Sequence, residues 1–193
     1  MFITLLKLTI LFFVIFDPIL SFGVFAAATK KMDKQERRKV ALLAVGLAMF
    51  LSFTFLIFGE RVLSIFSTSL DNFRVAGGIV LGILGLDMVL GTSAKNIERT
   101  TKSSWTAIAA IIATPLLTGP AAITAILISV NDFGILYTAL PVAIVLTLTG
   151  ILFLLVEKIS KLLHPVIIQI ISTILGLVTL SWSVEFIRKG LGF

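Results

Sequence analysis

Leu8-Thr9-Ile10-Leu11-Phe12-Phe13-Val14-Ile15-Phe16-Asp17-Pro18-Ile19-Leu20-Ser21-Phe22-Gly23-Val24-Phe25-Ala26-Ala27-Ala28 is an apolar run with one ionisable side chain, Asp17, and a proline directly after it. Each helical residue rises about 1.5 Å, so the run matches a hydrocarbon layer roughly 30 Å thick. Proline lacks an amide hydrogen and crowds the preceding turn, so carbonyls near positions 13–14 lose their usual partners. Lipid offers them nothing. Such carbonyls are tolerated only where neighbouring helices, hydroxyls, water or a ligand complete them. The stretch therefore reads both as a membrane span and as the wall of a polar site. Lys7, the apolar run and Ala26-Ala27-Ala28 also imitate a secretory leader. Asp17-Pro18 in the middle of that run, and the basic residues from Lys30 to Lys39 just beyond it, favour a retained span.

Working outward, apolar runs recur at about residues 8–28, 40–58, 73–91, 105–129, 135–156 and 166–187. Each approaches the length of a membrane-crossing helix. The second is on the short side, and Thr114-Pro115 and Gly119-Pro120 interrupt the fourth. The chain is 58% hydrophobic and 13% charged, with mean hydropathy +1.14, too apolar for one water-soluble core. Six spans would occupy about two thirds of its length, leaving little for a soluble domain. The absence of cysteine excludes disulfides, thiolate nucleophiles and sulfur-ligated metal sites.

The net charge of +6 would suggest nucleic acid in a soluble protein, but here the basic residues lie between the apolar runs, and no nucleic-acid partner is expected. With the amino terminus outside, eleven of the sixteen Lys and Arg residues fall in inner segments, as the positive-inside rule demands. Both termini are thus expected to be extracytoplasmic in a multi-pass cell-membrane protein. The loop Lys30-Lys31-Met32-Asp33-Lys34-Gln35-Glu36-Arg37-Arg38-Lys39 carries most of this bias and reads first as a topology anchor, with anionic lipid or a partner as its functional reading.

An internal repeat accompanies the spans. Phe16-Asp17-Pro18-Ile19-Leu20-Ser21 aligns with Ala113-Thr114-Pro115-Leu116-Leu117-Thr118, each about ten residues into the first span of its half. Gly77 and Gly176 hold similar places in the third span of each half, and Gly91 and Gly190 follow those spans. Because three spans is an odd number, two copies lie in opposite orientations across the membrane. The expected fold is all-α, a six-helix transmembrane bundle of two inverted three-helix repeats with interrupted first and fourth helices. Residues 1–193 form one transmembrane domain, with repeat 1 at about 1–91, a hinge loop at 92–104 and repeat 2 at about 105–193.

The interruptions carry the chemistry. Asp17, Ser21, Thr114 and Thr118 set side-chain oxygens beside the carbonyls freed by Pro18 and Pro115, and Gly119-Pro120 extends the second break. Half-helices starting after each break aim amide donors and a positive dipole end inward. A zwitterion suits that surround, its carboxylate at a half-helix amino end and its ammonium near loose carbonyls or Asp17. The candidate substrate-binding residues are therefore Asp17, Pro18, Ser21, Thr114, Pro115, Thr118 and Gly119. Asp17 is also the candidate coupling-ion residue, since a charge at mid-span must face the bundle interior; its plainer role is to cap the half-helix amides. Asp87 and Glu185 sit near span ends, Glu185 within one turn of Arg188, and are read as structural. His164 is interfacial and receives no chemistry. Gly78, Gly82 and Gly85, with Ala44 and Ala48, are spaced for close helix packing and would also permit self-association into a homo-oligomer. Trp105 and Trp182 are interface anchors.

Asp17-Pro18, Phe73-Arg74-Val75-Ala76-Gly77-Gly78 with Asp87-Met88-Val89-Leu90-Gly91, and Pro115-Leu116-Leu117-Thr118-Gly119-Pro120-Ala121-Ala122-Ile123-Thr124 together resemble the MarC-type membrane proteins. The likeness spans essentially the whole chain. It implies six helices in inverted repeats that move small neutral amino acids such as alanine or glycine. The family pattern of the first motif, Asn/Asp-Pro-Ile/Leu-Gly-Asn-x-Pro, is altered here, with Leu20, Ser21 and Gly23 where the Gly, Asn and second Pro would stand.

The function expected is thus a secondary transporter of small neutral amino acids or similar polar metabolites, working by alternating access. No cofactor or metal is expected, and no Walker motif is present to use ATP. One histidine, no cysteine and scattered carboxylates argue against a membrane-embedded enzyme. A channel, or an assembly subunit that moves no substrate, is the alternative.

Overall fold

The computed structural model describes residues 2–65, 67–91, 105–160 and 165–193, with the backbone alone for Ile111, Pro115, Leu116 and Pro165. Along it run α1 (Phe2–Phe16), α2 (Pro18–Ala28), α3 (Lys34–Ile65), α4 (Leu70–Leu90), α5 (Trp105–Ile111), a π-helical segment (Ile112–Leu117), α6 (Pro120–Phe133), α7 (Ile135–Leu154), α8 (Val156–Ile159) and α9 (Pro165–Gly190). The described residues contain no strand. The hinge proposed at 92–104 and His164 lie outside them.

Five helical stretches are long and apolar enough to cross a membrane: Phe2–Ala28, Lys34–Ile65, Leu70–Leu90, Ile135–Leu154 and Val166–Gly190. The fourth apolar run is divided into Trp105–Thr114 and Pro120–Phe133, each shorter than a full span. Both breaks fall where prolines deny the helix a donor. The second run, short as an apolar stretch, is carried by a helix of 32 residues. Its charged ends extend it at both sides: Asp33 Oδ1 accepts the Glu36 amide at 2.8 Å, capping the first turn, and Glu60 and Arg61 continue the helix beyond the apolar stretch.

The α4 and α9 helices pack antiparallel along their length because glycines remove the side chains that would separate them. A Cβ placed on Gly85 would lie 2.9 Å from the Gly176 carbonyl oxygen, and one on Gly176 would lie 2.9 Å from that of Gly85. Toward one end Gly78 faces Ser183 and Ile187, and Gly190 meets the Asp71 carbonyl; toward the other Gly91 meets Gln169. In lipid, where apolar burial drives no association, such close backbone approach holds helices together by dispersion and weak polar contacts. Gln169 adds one conventional bond, donating from Nε2 to the Met88 carbonyl at 3.2 Å.

Arg74 and the glycines after it form a three-way joint. The Arg74 guanidinium bonds Asp71 on its own helix and Asp132 at the end of α6. Gly77 leaves the space filled by Thr124 of α6, while Gly78 admits α9. The Arg-x-x-Gly-Gly segment thus fixes α4 against two neighbours at once. Glu185 pairs with Arg188 at 3.0 Å, and also with Lys189, as a structural role at a helix end requires.

The first run is the most enclosed. Its apolar window is 61% buried, against 22% to 39% for the other four long helices. It packs on α7, α9 and the divided fourth run, with Phe12 stacked on Phe16 and Phe25 on Phe153. Large apolar side chains face outward instead on α3, α4 and α9, among them Phe50, Ile57, Ile83, Leu86, Ile174 and Leu177. Water would make that exterior a liability; hydrocarbon makes it the solvated face.

Candidate functional site

Asp17 is the hinge of the first break. Its backbone is left-handed (φ 37°, ψ 72°), a region that aspartate enters more readily than most residues because its short side chain bonds locally. Oδ1 accepts the Leu20 amide at 3.1 Å, and Pro18 holds the first helical position, where its missing amide costs nothing. Together these stop α1 and restart the chain as α2. The other carboxylate oxygen, Oδ2, accepts from the Ser172 hydroxyl of α9 at 3.3 Å. Asp17 is 5% exposed. Its charge is therefore enclosed by protein.

Ser21 closes the far side of the break. Its amide donates to the Asp17 carbonyl at 2.9 Å, and its hydroxyl at 3.1 Å to the Phe16 carbonyl, whose helical donor, the Leu20 amide, is taken by Asp17. The carbonyl it completes is thus that of Phe16, not those near positions 13–14 expected from the missing proline amide.

The second break has a different construction. Thr114 is extended (φ −143°, ψ 115°) within the π-helical segment, and its side chain is exposed. The Thr118 amide spans the wide turn to reach the Ala113 carbonyl at 2.9 Å. Gly119 then leads into α6 with Pro120 at the first helical position, and no side chain caps the α6 amides. Where Asp17 satisfies the amino end of α2, the amino end of α6 keeps its first amide donors and its positive dipole end without a side-chain cap, at buried Ala121 and Ala122 and beside exposed Pro120.

Thr118 donates to the Ala48 carbonyl of α3 at 3.3 Å. That bond displaces another. Ser52 stands one turn after Ala48 and would bond its carbonyl in the way that Thr9, Thr54 and Thr149 bond the residue four before them. Its hydroxyl is fully buried and has no partner among the described residues. A buried donor left unpaired costs about 1–3 kcal/mol, so Ser52 marks a place where a further acceptor belongs.

The structure thus brings the two interrupted helices together, α2 packing on the π-helical segment and α1 on α6. Asp17, Pro18, Ser21, Thr118 and Gly119 are buried, Thr114 is at the surface, and Pro115 is described by its backbone alone. Ser172 and Ser52 join the set without having been singled out in the sequence. Each is one hydroxyl in a long apolar run, and only the facing helix distinguishes it. Among the described residues, no group of His, Asp or Glu side chains could hold a metal ion.

Residues 2–192 match the MarC family of integral membrane proteins. A UPF0056 membrane protein of Methanocaldococcus jannaschii is 33% identical over 187 residues, which cover 93% of this chain and 91% of the relative. One from Archaeoglobus fulgidus is 28% identical over 93% of this chain and 88% of its own. The UPF0056 membrane protein YhcE of Escherichia coli K12 is 26% identical over 93% of this chain and 87% of its own. No solved structure gives a significant match.

Proposed function

Since the chain belongs to the MarC family of integral membrane proteins, we propose that it is a secondary transporter of small neutral amino acids, or of similarly small polar metabolites, in the cell membrane. The observation that carries this reading is the enclosed meeting of two broken helices. One break presents a buried carboxylate, Asp17; the other presents an uncapped helix amino end beside Thr118 and the unpaired Ser52 hydroxyl. A zwitterion needs the two ends of that arrangement. Its carboxylate accepts from the first α6 amides and Ser52, and its ammonium donates to Asp17. With the polar side chains of both breaks no more than 5% exposed, apart from Thr114, the conformation resembles an occluded state with both entrances shut.

The six spans form two inverted repeats in this proposal, and alternating access is the rocking of one against the other. The helix pairings support it. α4 packs on α6 as α9 packs on α2, α3 packs on α5 and α6 as α7 packs on α1 and α2, and α4 packs on α9. Exchanging the first three spans for the last three leaves that scheme unchanged.

The test is counterflow of radiolabelled alanine, glycine and serine in proteoliposomes. The intact protein is expected to give saturable exchange of at least one of them. Asp17→Asn keeps the cap through its amide oxygen and reverses the Ser172 bond, the amide nitrogen donating to the hydroxyl, but removes the charge, and Thr118→Val removes the Ala48 bond. Each is expected to lower exchange by about tenfold or more: the first loses a charged contact to the substrate, and the second frees the Ala48 carbonyl to take the Ser52 hydroxyl that the substrate would otherwise engage. Absence of saturable uptake in the intact protein would falsify the transport reading in favour of a channel or a non-transporting assembly subunit. Unchanged kinetics in both variants would leave transport standing and move the site elsewhere.

A further inference from the structure

The transport reading leaves the basic loop before α3 unused. Beside it lies a cleft of about 240 Å³ between the first turns of α3 and the junction of α7 with α8, lined by Lys34, Arg37, Arg38, Phe153, Leu154 and Glu157. Its cations do two different jobs. Arg37 is committed to structure: Nη1 pairs with Glu157 at 3.4 Å, and Nη2 donates to the Thr29 and Met32 carbonyls at 3.3 and 3.1 Å. These bonds fasten the α2–α3 loop to the end of α7 and α8, and they neutralise the one carboxylate of the cleft. Lys34 and Arg38 are exposed and have no ion pair among the described residues. The cleft is therefore left with two uncompensated positive charges.

The opposite wall is apolar. Phe153 is packed against Phe25, and Leu154 is 46% exposed beside the cleft. Both α3 and α7 are long enough to span a membrane, so the cleft lies where two such helices end, at the depth of lipid headgroups. A free phosphate would engage the cations and leave the apolar wall bare. An amphiphile engages both. We propose that this cleft is a binding site for an anionic phospholipid, with Lys34 and Arg38 on the headgroup phosphate and the exposed Leu154, backed by the buried Phe153, against the start of an acyl chain. The site does not depend on the transport reading. It differs from a diffuse topology signal in one respect: position within the loop matters, because Lys30 and Lys31 belong to the same basic run but do not line the cleft.

The experiment is native mass spectrometry of the full chain in detergent, titrated with phosphatidylglycerol, phosphatidylcholine of the same acyl chains, and glycerol 3-phosphate. Phosphatidylglycerol is expected to bind about tenfold more tightly than phosphatidylcholine, two cations acting on one phosphate. The double variant Lys34→Gln/Arg38→Gln is expected to remove that preference, Lys30→Gln/Lys31→Gln to keep it within about twofold, and the charge-preserving Lys34→Arg/Arg38→Lys to retain binding even if the glutamine pair perturbs the fold. Equal loss in the two glutamine pairs, equal binding of the two lipids, or glycerol 3-phosphate binding as tightly as phosphatidylglycerol would each overturn the site.

Discussion

At the scale of single residues, the site rests on two side chains in opposite conditions. Asp17 is fully employed, its carboxylate bonded to Leu20 and Ser172, while the Ser52 hydroxyl has no partner among the described residues. This predicts opposite effects on stability. Asp17→Leu removes an N-cap and leaves the Ser172 hydroxyl without its acceptor, so thermal unfolding in detergent should show a loss of about 1–3 kcal/mol. Asp17→Asn should recover most of it, since asparagine also caps helices and enters the left-handed region. Ser52→Ala removes an unsatisfied donor and should leave the apo protein as stable as before or more so, while weakening half-saturation in counterflow by about fivefold or more. A destabilised apo Ser52→Ala protein would mean that the hydroxyl has a partner and the argument for a bound acceptor fails.

At the scale of elements, the decisive contact is the glycine seam between α4 and α9. Replacing Gly85 by alanine sets a Cβ 2.9 Å from a backbone carbonyl, which cannot move without shifting α9. The overpacking cost, about 1–3 kcal/mol, exceeds the gain of at most about 1 kcal/mol from alanine's helix preference. Gly46, with nothing within 4 Å of an added Cβ, supplies the control: Gly46→Ala should be neutral or stabilising in the same melt. The other joint is the partly buried Arg74 with Asp71 and Asp132. Arg74→Gln returns the exposed Asp71 to solvent and leaves Asp132 with Asn131, so it removes two partly exposed ion pairs and should lower stability by about 1 kcal/mol or less, a loss visible as slightly earlier aggregation on heating in detergent.

For the molecule as a whole, orientation follows from charge. The cysteine-free chain accepts single cysteines without background. A cysteine at Lys31 should be shielded from a membrane-impermeant maleimide in intact cells and react only after permeabilisation, whereas one at Phe193 should react from outside. The reverse pattern would refute the extracytoplasmic termini. It would leave the helix packing untouched, because nothing in the contacts between helices depends on which face is cytoplasmic.

Much of this was legible in the sequence because the cues are local. A proline denies its own turn a donor wherever the chain lies, so the breaks at Asp17-Pro18 and in the Thr114–Pro120 stretch were expected and are found. Apolar length against bilayer thickness marked the helices in the same way, and the motifs marked the family. What no local rule contained is which groups face one another. Ser52 lacks a partner only because Thr118, 66 positions away in the chain, has taken the Ala48 carbonyl. Asp17 meets Ser172 only because α9 passes the first break, and Thr114, expected beside the freed carbonyls, turns its side chain to the surface where the backbone extends. A hydrogen bond between helices depends on axial register and rotation together, and those are set by packing, above all by glycines such as Gly85 and Gly176 whose missing side chains let two backbones touch. Sequence by itself therefore determined where the helices run and where they break; the tertiary structure alone decided which polar groups are paired and which, the Ser52 hydroxyl among them, are left open.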